Sequence, residues 1–138
     1  LTSRRDPLIL PPQAGQFERL ADPPPGPDRI ASPRALAAAT GAVVLLKGHT
    51  TVVAEPGGEV LLSASGDSRL ATAGTGDVLA GVIGAICASG VEPFHAAAAG
   101  AFIHGVAGTL GWRRGLVAGD LVDLLPEAVE SITSPDGP

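Results

Sequence analysis

The chain has 138 residues and a net charge of −5, which fits one domain and offers no basic surface for nucleic acid or an anionic membrane. Hydrophobic residues make up 45% of it but aromatics only 3%, so the core must be built from Ala, Val, Leu and Ile. A single cysteine, Cys87, excludes an internal disulfide and fits a reducing, cytoplasmic setting, and no stretch is long and apolar enough to span a bilayer.

Leu1 to Asp6 carries charge without a following apolar run, so no signal peptide is read there. A strand pattern begins almost at once, after a first residue that is not Met. An N-terminal part of the fold is therefore expected to be absent. Leu8 to Leu10 reads as a short buried strand, followed by a turn over Pro11 to Gly15. Gln16 to Ala21 reads as a short helix. The proline-rich segment Asp22 to Asp28 fits an exposed loop. Ser32 as N-cap and Pro33 at the first helical position start a helix that ends at Gly41. Ala42 to Leu46 is a continuous apolar run, the pattern of a buried parallel-type strand. Thr51–Ala54 and Glu59–Ser63 flank Pro56-Gly57-Gly58, a hairpin signal.

The segment Gly74-Thr75-Gly76-Asp77 comes next. Glycines allow a tight turn that exposes backbone N–H groups. The apolar residues Val78, Leu79, Val82, Ile83, Ile86 and Cys87 then recur at helical spacing, so the turn opens a helix ending at Gly90. Bare N–H groups at a helix start are a seat for phosphate. The Asp77 carboxylate in the same turn is placed to take a proton from a hydroxyl, as phosphoryl transfer to an alcohol requires. An Asp in a first turn also simply complements the helix dipole. A further helix runs from Pro93 to about Leu110, with Ala97, Ala101 and Gly105 as a small-residue stripe for a neighbouring helix. Asp120 is read as the cap of a last helix, Leu121 to Ile132, kinked or split at Pro126. Residues 1–132 make up the domain, and 133–138 a flexible tail. Strands followed by helices give an α/β layered fold.

A second cluster follows the apolar strand: Lys47, Gly48, His49, Thr50 and Thr51. Ligands bind at strand ends in open α/β sheets. Lys47 can meet a phosphate as a point charge, Gly48 allows close backbone approach, and Thr51 offers a hydroxyl. None of the three histidines has metal-ligand spacing to another. His49 and His95 read as exposed, and His104 as structural among small residues. Trp112-Arg113-Arg114 reads as a turn, and Glu127 and Glu130 as a solvated helix face.

Four blocks occur together in order: Leu46-Lys47-Gly48-His49-Thr50-Thr51-Val52-Val53, Leu70 to Gly81, Ala96 to Gly105, and Gly115 to Leu121. Together they resemble the ADP- or ATP-dependent NAD(P)H-hydrate dehydratases of the ribokinase-like superfamily, over about the C-terminal half of such a protein. The resemblance implies a mostly parallel sheet flanked by helices. It implies an enzyme that phosphorylates the hydroxyl of hydrated NADH or NADPH and eliminates phosphate to restore the nicotinamide. Asp77 would be the base and contact the substrate. Gly74, Thr75 and Gly76 would hold phosphates, and Lys47, Gly48, His49, Thr50 and Thr51 would line the adenine nucleotide. Mg²⁺ would accompany ATP or ADP, with no metal-ligand set in the protein itself. Assembly into homo-oligomers is also implied.

Where that family carries Thr-Pro-His-x-Gly-Glu, this chain has Pro11-Pro12-Gln13-Ala14-Gly15-Gln16. Gln13 then stands at the substrate-binding His position, and can still donate and accept hydrogen bonds. Asp67 stands where Asn is common. Two alternatives accompany the dehydratase reading: another small-molecule kinase of the superfamily, acting on a vitamin precursor or a sugar, and a degenerate nucleotide-binding or assembly module.

Overall fold

The computed structural model describes residues 6–21 and 27–134. Residues 1–5, most of the expected proline loop and the end of the expected tail lie outside the described residues. Four short strands form one sheet in the order β1 (Ile9–Leu10), β2 (Val43–Leu46), β3 (Thr51–Ala54), β4 (Val60–Ser63). Five helices surround it: α1 (Ala14–Leu20), α2 (Ala31–Thr40), α3 (Thr75–Ala88), α4 (Pro93–Leu110) and α5 (Ala118–Thr133).

The α/β class holds, but the strand directions differ from expectation. Only β1 and β2 are parallel; β2–β3 and β3–β4 are antiparallel. The reason is loop length. Four residues separate β2 from β3, and five separate β3 from β4, and such short connections permit only antiparallel return. The second hairpin closes with Glu55 N–H donating to Glu59 O at 3.1 Å.

All four β2 residues are buried because the strand has a helical layer on each face. Val44 and Leu46 point one way, into a cluster with Phe17 of α1, Leu36 and Ala37 of α2, and Val52 and Ala54 of β3. Val43 and Leu45 point the other way, against Leu79 and Ile83 of α3 and Phe94, Ala97 and Ala101 of α4. Burial on both faces explains why the strand reads as a continuous apolar run instead of an alternation. A third cluster joins α4 to α5 through Ala107, Leu121 and Ala128, with Leu116 from the loop between them. Leu45 is fully enclosed. Leu45→Ala is therefore expected to cost about 2–5 kcal/mol, read as a lower denaturation midpoint with an unchanged m-value.

Three local expectations are corrected. The N-cap of α2 is Ile30, not Ser32, and Asp28 just ahead of it braces the helix entry: its Oδ1 accepts from the N–H groups of Ile30 (2.8 Å) and Ala31 (2.9 Å). Those two bonds hold the Asp28 carboxyl below its usual range. α5 runs unbroken through Pro126 and continues to Thr133. Asp120 lies inside it, and its Oδ2 accepts from Val117 N–H at 2.9 Å. Ala97 and Ala101 of the expected stripe share a buried cluster with Leu79 and Ile83 of α3, and Gly100 meets the same helix, where a Cβ would stand 2.6 Å from Ile83 Cγ1. Gly105 of the expected stripe faces the Ser65 backbone instead of a helix.

Candidate active site

β1 and β2 run parallel, so their C-terminal ends lie on the same side of the sheet. Gln13 follows one and Lys47 the other, and Lys47 N–H donates to Pro12 O at 3.2 Å. The start of α3 meets the same edge. These segments enclose a cavity of about 760 Å³, whose wall includes Gln13, Lys47, Gly48, His49, Thr51, Thr75 and Gly76. Of the residues expected from sequence, Thr50, Gly74 and Asp77 lie outside that wall.

Gly74 is the N-cap of α3, at φ 86°, where a residue with a Cβ would be strained. Thr75 anchors the turn: its Oγ1 donates to Leu70 O (2.7 Å) and Thr72 O (2.8 Å). Thr75 N–H goes to Thr72 O and Asp77 N–H to Gly74 O. Among the described residues, the N–H groups of Gly74 and Gly76 make no hydrogen bond. Of the three residues expected to hold phosphates, only Gly76 combines an N–H without a partner and a place on the cavity wall. Thr75 is a brace, and Gly76 is the donor that borders the cavity.

Lys47 Nζ lies over this turn; a Cβ on Gly76 would stand 2.7 Å from it. Burial lowers the Lys47 pKa, and the Asp77 charge partly offsets that. An ammonium half-withdrawn from water gains from a phosphate placed between its Nζ and the Gly76 N–H. Arg29 was not foreseen. Its guanidinium donates to Lys47 O at 3.4 Å and lies over Gly48, so a side chain at 48 would have to push it aside. No local pattern marks Arg29, which is joined to the loop only by the fold.

The opposite wall is Ser65 to Ala73. The only signal for it in the sequence is the run of small polar residues Ser65-Gly66-Asp67-Ser68 after a strand. Asp67 caps the 3-10 turn Ser68–Ala71 by accepting from Arg69 N–H, and pairs with the Arg69 guanidinium at 2.6 Å. Arg69 also donates to Thr109 O and Gly111 O at the end of α4, where a cation complements the helix dipole. The Arg69 hydrogen bonds hold the Asp67 carboxyl at about 2, well below its usual 3.8. A depressed carboxylate stabilises the fold above its unfolded pKa and loses that contribution as pH falls through the folded value. The melting temperature of wild type relative to Asp67→Asn, which keeps the cap but not the charge, is expected to fall between about pH 4 and pH 2.

His104 of α4, read from sequence as structural, lines the cavity. Its Nε2 lies 2.9 Å from Thr75 O. Burial is the main influence on its pKa and lowers it; the Thr75 bond opposes this and Lys47 adds to it. Gln16, at the family's Glu position, accepts from Gln13 N–H at 3.0 Å, a capping bond that Glu would make equally well. Among the described residues no three His, Cys, Asp or Glu side chains gather as a metal site. No described helix is long and apolar enough to cross a membrane.

The chain is 55% identical over 98 residues to a bifunctional NAD(P)H-hydrate repair enzyme of Mycobacterium tuberculosis, covering 71% of this chain and 21% of that protein. A solved Bacillus subtilis ADP/ATP-dependent NAD(P)H-hydrate dehydratase, co-crystallised with ATP and Mg²⁺ and soaked with CoA, superposes with a TM-score of 0.87. It is 32% identical, and the match covers 94% of this chain and 51% of that one. A ribokinase-like superfamily protein of Enterococcus faecalis superposes with a TM-score of 0.72 at 26% identity, over 88% of this chain and 44% of its own. The chain therefore has a ribokinase-like fold and spans about half or less of each of these relatives. The family profile for NAD(P)H-hydrate dehydratases runs from residue 1 to residue 130, ending within α5, and this chain belongs to that family.

Proposed function

We propose that this chain carries the nucleotide half of a dehydratase that uses ADP or ATP to repair hydrated NADH or NADPH. The observation that carries the reading is the meeting of Lys47 Nζ with the Gly76 backbone beside Asp77. It joins an anion seat, a cation and a carboxylate within one turn. The terminal phosphates lie on the Gly76 N–H and Lys47. Asp77 takes the proton of the ring hydroxyl as its oxygen bonds to the transferred phosphorus. The C–O bond then breaks, phosphate leaves with the bonding electrons, the neighbouring ring carbon gives up a proton to solvent, and the ring double bond returns. A carboxylate is a weak base for an alcohol, and it serves where proton removal accompanies phosphoryl transfer.

Mg²⁺ fits this site as an ion held by the nucleotide phosphates and waters, which leaves the Asp77 carboxylate free as the base. Its contribution would be to neutralise phosphate charge. Gln13 borders the same cavity and offers the substrate a neutral hydrogen-bonding group. The remainder of the substrate site, and any homo-oligomer, are assigned to the longer protein.

The test is recovery of reduced-nicotinamide absorbance from hydrated NADH with ADP or ATP and Mg²⁺, using the full-length protein. Nucleotide-dependent recovery with phosphate release is expected. A stable phosphorylated product would instead identify a kinase. Nucleotide binding without turnover would identify a retired enzyme.

A further inference from the structure

We infer that His104 reads the base of the bound nucleotide, accepting a hydrogen bond at Nδ1 from an exocyclic amino group, so that the cavity selects an aminopurine over an oxopurine. This rests on the proposed adenine-nucleotide site and adds the residue that would set its base specificity.

The tautomer follows from the partner. Thr75 O is a carbonyl and can only accept, so the Nε2 that lies 2.9 Å from it carries the hydrogen. Burial and the nearby Lys47 both disfavour a second proton, which leaves Nδ1 as a bare lone pair. Every fully enclosed side-chain polar atom among the described residues has a hydrogen-bond partner, and Nδ1 has none. It is therefore not fully enclosed, although the residue as a whole is only 6% exposed. Its opening is the cavity that His104 lines. The ring cannot turn to hide this acceptor without breaking the bond to Thr75.

The surroundings choose the ligand group. Leu70, Ala71, Leu79 and Ala101 share the wall with His104, and such apolar surface suits the flat face of a base better than ribose hydroxyls. An adenine amino group is a donor and satisfies Nδ1. The oxo group of hypoxanthine is an acceptor, and would leave two lone pairs facing each other in a desolvated site. Sites built to hydrogen-bond one group reject analogues lacking it, because a buried polar atom is left unpaired.

The experiment compares ADP with IDP by titration calorimetry on the full-length protein, wild type and the variants His104→Leu and His104→Asn. Wild type is expected to favour ADP by about tenfold or more. His104→Leu is expected to bring that ratio near one, and His104→Asn, whose side-chain oxygen can replace Nδ1, to keep most of it. The ratio is insensitive to a general loss of affinity, so a merely structural role for His104 would leave it unchanged. In addition, the ¹⁵N resonance of His104 Nδ1 should shift on adding ADP and not on adding IDP. Binding of both nucleotides without preference would overturn this inference alone, as would a preference undiminished in His104→Leu. Binding of neither nucleotide would overturn the inference together with the nucleotide site beneath it.

Discussion

Asp77→Asn is expected to lower turnover of hydrated NADH by about 10²–10⁴-fold while nucleotide affinity holds within a few-fold. The asymmetry follows from position. Asp77 is the third residue of α3, exposed and outside the cavity wall. The groups assigned to the phosphates, Gly76 N–H and Lys47 Nζ, are untouched by the change. Asn preserves size and hydrogen-bonding capacity but cannot take the proton. The lost charge at the helix start costs the fold about 0.3–1 kcal/mol. The same charge also favours the protonated form of Lys47, so its removal should let burial depress Lys47 further. Single-turnover absorbance recovery together with nucleotide titration separates the two effects. Near-normal turnover in Asp77→Asn would remove Asp77 as the base.

Gly105→Ala is expected to destabilise the protein by about 1–3 kcal/mol, the usual cost of forcing extra atoms into a filled space, and to weaken nucleotide binding as well. A Cβ there would stand 2.6 Å from the backbone C and O of Ser65. Backbone cannot step aside as a long side chain can. Ser65 is also tied to the same helix, its Oγ donating to Phe102 O at 3.1 Å, a bond the added Cβ would crowd. Relief must come from moving residues 65–66, and these belong to the cavity wall. Stability and affinity should therefore fall together, read by thermal melting and nucleotide titration on one sample. A loss of stability with unchanged affinity would show that the wall bears no load from Gly105.

The sequence by itself was sufficient for features whose cause is local. Gly74 marks the start of α3 because only glycine sits easily at its positive φ, and Leu79 and Ile83 one turn apart mark the face that helix buries. The hairpin β3–β4 follows from Pro56-Gly57-Gly58 between two β-branched or leucine-rich runs. Lys47 and Gly48 were legible because they close an apolar strand.

Only the tertiary structure decided what meets what. Arg29 lies 18 positions before Lys47 and reaches its carbonyl across a chain reversal; His104 lies 29 positions after Thr75 and reaches its carbonyl from another helix. Such bonds are formed because buried polar groups need partners, and which partner arrives depends on how the layers stack. The same holds for burial. The small residues around His104 mark a packed helix, whereas its place on the cavity depends on the opposing wall. Periodicity fixes which face of an element turns inward, whereas the identity of the groups facing it across the gap is a property of the assembled layers.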